Sequence, residues 1–125
     1  MTPATWAAFV VAAAIGAPAR YVVDGVVQER VDRVLPAGTL LVNVTGSFLL
    51  GLLTGLATHH GLSPAAKTVL GTGFCGAYTT FSTFTFETVR LAEEGDYADA
   101  VRNIGLSLVI GALAAAAGLA LPALV

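Results

Sequence analysis

Charge is the first thing this chain lacks. Its 125 residues hold six Lys and Arg and eight Asp and Glu, 11% in all, less than half of the roughly one quarter that a soluble domain carries. With 56% of residues hydrophobic and a mean hydropathy of +0.81, the surplus of apolar surface needs a lipid solvent, which excludes an ordinary soluble fold. The formal net charge is −2, so no basic patch stands ready for nucleic acid. A single cysteine, Cys75, rules out an intrachain disulfide framework and, set in an apolar stretch, behaves as a small hydrophobe. His59 and His60 share a short turn without partners at metal-ligand spacing, and no nucleophile has a base beside it, so nothing points to an enzyme. No Lys or Arg precedes the first apolar run, residues 6–23, and three more apolar runs follow. That run is a retained spanning helix and not a signal peptide.

What is present is four segments long enough to cross a hydrocarbon core about 30 Å thick, which takes roughly 20 apolar residues as helix. The pattern predicts helices over residues 5–23, 38–58, 65–91 and 102–121 within one membrane domain, 1–125, of an all-α multi-pass protein. Leu35-Pro36-Ala37 leads into the second, Ser63-Pro64 opens the third, and Pro122 closes the fourth. The connections, residues 24–35, 59–64 and 92–99, are short. Arg20, Arg30, Arg33, Arg90 and Arg102 fall on the side of the first and third loops, and only Lys67 falls with the termini. Five against one predicts cytoplasmic charged loops and termini outside.

In lipid, helices associate through close packing and polar contacts. Stripes of small or polar residues recur at helical spacing: Ala12, Gly16 and Arg20; Thr39, Asn43, Gly46 or Ser47, Gly51 and Gly55; Asn103, Ser107, Gly111, Ala114 and Gly118. Tight packing accounts for the glycines and alanines. Asn43 lies about five residues inside the second helix, where an amide needs a partner. It serves either as a clasp between helices or as lining for a wet path. A serine such as Ser107 can satisfy itself on the backbone one turn back.

The third segment is anomalous. Gly71, Gly73 and Gly76 are followed by hydroxyls at Thr79, Thr80, Ser82, Thr83 and Thr85, all mediocre helix formers in the middle of a span. Either the helix stays intact with hydroxyls bonded to their own backbone, or it breaks near residues 76–84 and frees carbonyls for a cation. Phe81 and Phe84 lie three apart and share a face if the helix resumes there. Such a pair either packs in the core or offers electropositive ring edges to a small anion. Arg20, Arg90 and Arg102 are expected at span ends, so no fixed cation lies inside the spans. That favours passage over tight binding.

At these residues the chain resembles the Fluc fluoride-channel family, also called CrcB. The resemblance covers almost the whole chain: Gly16 and Arg20-Tyr21, then Gly38-Thr39-Leu40, Val42-Asn43 and Gly46-Ser47-Phe48, and above all Gly73-Phe74-Cys75-Gly76 running into Thr79-Thr80-Phe81-Ser82-Thr83-Phe84. It implies a dimer of antiparallel subunits with two narrow pores that export cytoplasmic fluoride passively across the cell membrane. It further implies a structural sodium ion at the dimer centre, held by the carbonyls of Gly76 and Thr79 from each subunit and not transported. Phe81 and Phe84 then match the paired pore rings, Asn43 the pore-lining amide, Ser82, Thr83 and Ser107 the hydroxyl track, and Arg20 the vestibule arginine. Ala77 departs from a common glycine, and Val101 stands where some members carry a tyrosine. Some members insert in both orientations and others pair as opposed subunits, so the implied partner is an antiparallel homodimer copy or an oppositely oriented homologous subunit. The five-to-one bias favours one orientation for this chain and a partner inserted the other way.

Two other classes fit these features less well. A small multidrug-type transporter needs a membrane-buried carboxylate, and the predicted spans hold only Glu87, near the end of the third, with none in the first. A non-conducting membrane assembly subunit explains the small-residue stripes and leaves the hydroxyl-rich stretch without a purpose.

Overall fold

A computed structural model describes residues 1–31 and 35–125, and Arg33 of the orientation count lies outside the described residues. Among the described residues every regular element is helical. The first, α1 (Pro3–Arg30), starts with Thr2 accepting the Thr5 amide at 3.2 Å and with Pro3 in the first turn, where its missing N–H is harmless. It does not stop at residue 23 as expected. Residues 24–30 contain no proline and end in Gln28-Glu29-Arg30, good helix formers, so their polarity marks a helix leaving the membrane and not a loop. At 1.5 Å per residue the 28 residues of α1 reach about 42 Å, well beyond the hydrocarbon thickness. Asp24 is therefore part of the first helix, which the sequence reading had left without an acid.

The second helix, α2, spans Ala37–His59. The third predicted span is built in pieces: α3 (Pro64–Lys67), a π-wound stretch (Thr68–Cys75), α4 (Gly76–Tyr78), an interruption at residues 79–81, and α5 (Ser82–Glu93). Gly95, at φ +86°, ends α5 with the Asp96 amide bonded back to the Leu91 carbonyl at 2.9 Å, a left-handed glycine stop. This stop is compact, so α6 (Tyr97–Ala120) starts five residues before the expected 102 and runs into a 3-10 turn, Leu121–Leu124. Three segments, Pro3–Arg30, Ala37–His59 and Tyr97–Leu124, are each long and apolar enough to cross a membrane, which makes the chain a multi-pass membrane protein.

Close backbone approach holds the bundle together. A Cβ on Gly55 would lie 2.6 Å from the Leu119 carbonyl, and one on Gly51 or Gly118 would strike the Ala115 or Phe48 carbonyl, so α2 and α6 meet backbone to backbone. On the other side, a Cβ on Gly16 would lie 2.5 Å from the Phe74 carbonyl, and one on Gly73 3.1 Å from the Phe9 carbonyl, which seats α1 on the π-wound stretch. Without a Cβ at these positions the helix backbones come close enough for many dispersion contacts, a main attraction available between helices in lipid. The His60 ring Nε2 and the Pro122 carbonyl meet at 2.8 Å and tie the end of α2 to the 3-10 turn that follows α6.

Candidate ion pathway

The unwound stretch is shorter than residues 76–84, because Gly76–Tyr78 are α-helical and Ser82 already opens α5. Thr79 turns extended at φ −79°, ψ 161°. The helical ladder reaches the Thr79 amide, bonded to the Cys75 carbonyl at 2.9 Å, and resumes with the Thr85 amide on the Phe81 carbonyl at 2.9 Å. Between them, Asn43 replaces the ladder. Its Oδ1 accepts the Thr80 amide at 2.8 Å and its Nδ2 donates to the Thr80 carbonyl at 2.8 Å. The Thr80 hydroxyl in turn accepts the Thr83 amide at 3.2 Å and donates to Thr83 Oγ1 at 3.0 Å, capping α5 as a threonine three residues ahead of that amide should. Broken backbone inside a span persists only when its polar groups are served this way. Gly46, one turn beyond Asn43, makes room: a side chain there would strike Thr79 Cγ2. Tyr78 adds a second brace, its hydroxyl 2.9 Å from Thr45 Oγ1 and its ring stacked on Phe74 at 5.6 Å.

Arg20 does not stand at a helix end. It lies ten residues before Arg30 closes α1, and its Nη1 donates to the Thr79 carbonyl at 3.2 Å. The apolar run stops at residue 23 but the helix does not, so the guanidinium is held inside the bundle against the freed backbone.

The two phenylalanines are neighbours, with ring centroids 6.0 Å apart and planes tilted by 48°. Phe81 is 77% exposed and Phe84 half-buried. A groove of about 500 Å3 brings together Asn43, Gly76, Thr79, Phe81, Phe84 and Ser107. A separate cavity of about 220 Å3 is lined by Arg20, Tyr21, Asp24, Thr39 and Thr83. Thr80 borders both. Ser82 borders neither of them: it is exposed, with its Oγ 3.3 Å from the Thr80 hydroxyl. Within one chain the expected site residues are thus divided by the break into two compartments. Sequence reasoning had singled out Thr79 and passed over Thr80, the residue at the centre. The available signal was the three-residue spacing from Thr80 to Thr83 at a helix start.

Both the motif string and the clasped break fall within the part of the chain that matches a family model, residues 7–119, described as CrcB-like protein, Camphor Resistance (CrcB). The chain belongs to the CrcB family. It is 50% identical over 116 residues to the fluoride-specific ion channel FluC 1 of Leifsonia xyli, covering 93% of this chain and 84% of that one. It is likewise 50% identical over 113 residues to FluC 1 of Streptomyces avermitilis, covering 90% and 91%. To the fluoride-specific ion channel FluC of Acidobacterium capsulatum it is 52% identical over 102 residues, covering 81% and 82%.

In this CrcB chain the remaining polar chemistry lies toward the ends of α1, α2 and α5 that meet the smaller cavity. Glu87 Oε1 accepts the buried Thr39 hydroxyl at 2.9 Å, while Oε2 is buried without a partner among the described residues. Asp24 packs on Gly38, whose amide N–H donates to the Gln28 side-chain oxygen at 3.4 Å. Among the described residues no three His, Cys, Asp or Glu side chains cluster as a metal site. The break does change the pairing of one backbone oxygen. The Thr80 amide would serve the Gly76 carbonyl in an unbroken helix, but it serves Asn43 instead. The Gly76 α-carbon also faces open space, with nothing within 4 Å of where a side chain would begin.

Proposed function

We propose that the protein is a fluoride-selective channel that lets fluoride leave the cytoplasm passively across the cell membrane, limiting its accumulation. One observation carries this reading. The clasped break presents the Phe81 and Phe84 rings, an amide and hydroxyls along one open groove, in a chain half identical to proteins named fluoride-specific ion channels. A small anion gives up strongly bound water only where hydrogen bonds and favourable dipoles replace it. Aromatic ring edges carry the positive end of the ring quadrupole; Ser107 supplies an O–H donor in the groove, Thr83 one in the neighbouring cavity, and Ser82 one at the exposed start of α5. Asn43 gives one N–H to Thr80, and a primary amide has two, so the same side chain both clasps the break and lines the path. Among the described residues no Lys or Arg lines the larger groove, which keeps binding weak enough for release. Arg20 lends positive potential from the neighbouring cavity while its guanidinium is engaged by Thr79. Hydrogen fluoride entering from an acidic exterior ionises in the cytoplasm, so a passive path discharges fluoride outward.

The open side of the groove is closed, in this reading, by a second antiparallel copy or by an oppositely inserted homologous subunit, and the five-to-one count of Lys and Arg favours the latter. The Gly76 and Thr79 carbonyls of two subunits hold a structural sodium ion, for which oxygen donors are the suitable chemistry. The ion supplies positive charge that keeps those carbonyl dipoles together. Arg20 already shares the Thr79 oxygen, which has a second lone pair to offer.

The test is efflux from liposomes loaded with fluoride or chloride. Release of fluoride with retention of chloride is expected, and equal release of both, or of neither, refutes the reading. Sodium is checked separately as a drop in thermal midpoint when potassium replaces it on both sides of the membrane.

A further inference from the structure

We infer that Asn103, acting through Thr88, sets the gap between the Phe84 ring and the Ser107 hydroxyl, and is thus a positioning residue for the ion pathway. The inference rests on the channel reading above. Asn103 is 4% exposed on α6, and an amide buried in an apolar span needs a partner. Its Nδ2 donates to Thr88 Oγ1 at 2.8 Å, and Thr88 Oγ1 donates to the Phe84 carbonyl at 2.8 Å. A helical threonine ordinarily stops at that second bond, satisfying itself one turn back. Here the hydroxyl is also an acceptor, so two bonds aligned head to tail run from α6 into the backbone of Phe84, an arrangement in which each strengthens the other.

The spacing gives this link its purpose. Thr88 follows Phe84 by four residues on α5, and Ser107 follows Asn103 by four on α6. The two helices are antiparallel, joined by the tight turn at Gly95. The link therefore lies one helical turn, about 5–6 Å, from the level of Phe84 and Ser107 on both helices, and in the same direction. Both of those residues line the larger groove. Among the described residues this is the one side-chain hydrogen bond between α5 and α6. Without it, α6 can slide or rotate against α5, and the first dimension to change is the width between ring and hydroxyl.

Three substitutions separate positioning from plain packing. Thr88→Val removes the hydroxyl at nearly constant volume, Asn103→Leu removes the amide, and Thr88→Ser keeps a hydroxyl in place. Each is read in liposomes as the fluoride rate constant of the active vesicles, their number, and the ratio of fluoride to chloride flux. Thr88→Val and Asn103→Leu should each slow fluoride by about fivefold, the worth of one net hydrogen bond, and should narrow the ratio. The double variant should be no slower than either single one, and Thr88→Ser should behave as the unmodified protein. A purely structural role lowers the number of active vesicles and leaves rate constant and ratio unchanged in them. That result, or unchanged behaviour in both variants, overturns the inference. If the unmodified protein passes no fluoride at all, the channel reading falls and this inference with it.

Discussion

Replacing Asn43 by Leu removes the clasp while keeping the side chain close to its original size. Two bonds of 2.8 Å are lost, and the Thr80 amide and carbonyl are left without partners at a residue only 8% exposed. An orphaned buried backbone group costs about 1–3 kcal/mol, so the pair costs about 2–6 kcal/mol. Water in the adjoining groove offsets part of this, which places the effect near the lower end, about 2 kcal/mol, or roughly thirtyfold in the population of the broken conformation. Residues 79–81 then wind toward regular helix, carrying Phe81 out of register with Phe84. Asn43→Asp gives a sharper comparison. It keeps the acceptor for the Thr80 amide but turns a carboxylate oxygen toward the Thr80 carbonyl, setting two acceptors face to face. Fluoride efflux followed with an ion-selective electrode should fall at least tenfold in both variants, measured on protein that elutes as a single species. A fluoride rate within twofold of the unmodified protein for Asn43→Leu refutes the idea that this amide holds the break.

Phe81→Ile keeps the volume apolar but deletes the ring edge, and should abolish most fluoride flux in the same assay while leaving the thermal midpoint nearly unchanged, since Phe81 is exposed in the single chain. Arg20→Met removes a charged donor to the Thr79 carbonyl, worth about 1.5–3 kcal/mol; the thermal midpoint should drop, and Arg20→Lys should recover part of the loss. Gly51→Val forces a branched side chain into the Ala115 carbonyl and should cost about 1–3 kcal/mol or more through overpacking, seen as a lower thermal midpoint in detergent. Gly25→Ala, which meets nothing within 4 Å on α1, should instead be neutral or stabilising by up to about 1 kcal/mol.

The apolar runs made the spans legible because membrane thickness fixes their length. They did not mark where helices stop, since polarity reports where lipid ends and not where hydrogen bonding ends. Residues 24–30 show this: charged, yet continuous with α1. Arg20, three residues before the apolar run stops, is therefore not a helix terminus, and its guanidinium meets the Thr79 carbonyl instead. Glycines and hydroxyls did announce irregularity in the third segment, but not its form. Nothing in composition distinguishes a π-wound Thr68–Cys75 from an α-helical one, because the two differ by a single step in the hydrogen-bond register. Among the five clustered hydroxyls, Thr80 was indistinguishable from its neighbours until Asn43 was seen 37 residues away in sequence and 2.8 Å away in space. Of the two readings left open for Asn43, the structure shows the clasp, and it also places the residue beside the larger groove.

That separation also orders events during biogenesis. The segment carrying the break has no means of its own to satisfy the Thr80 amide and carbonyl, so on entering the bilayer it must wind as ordinary helix. It can open only after the second span has docked alongside and Asn43 has reached it. The unwound shape of residues 79–81 thus belongs to the assembled pair of spans and not to the third segment's own sequence.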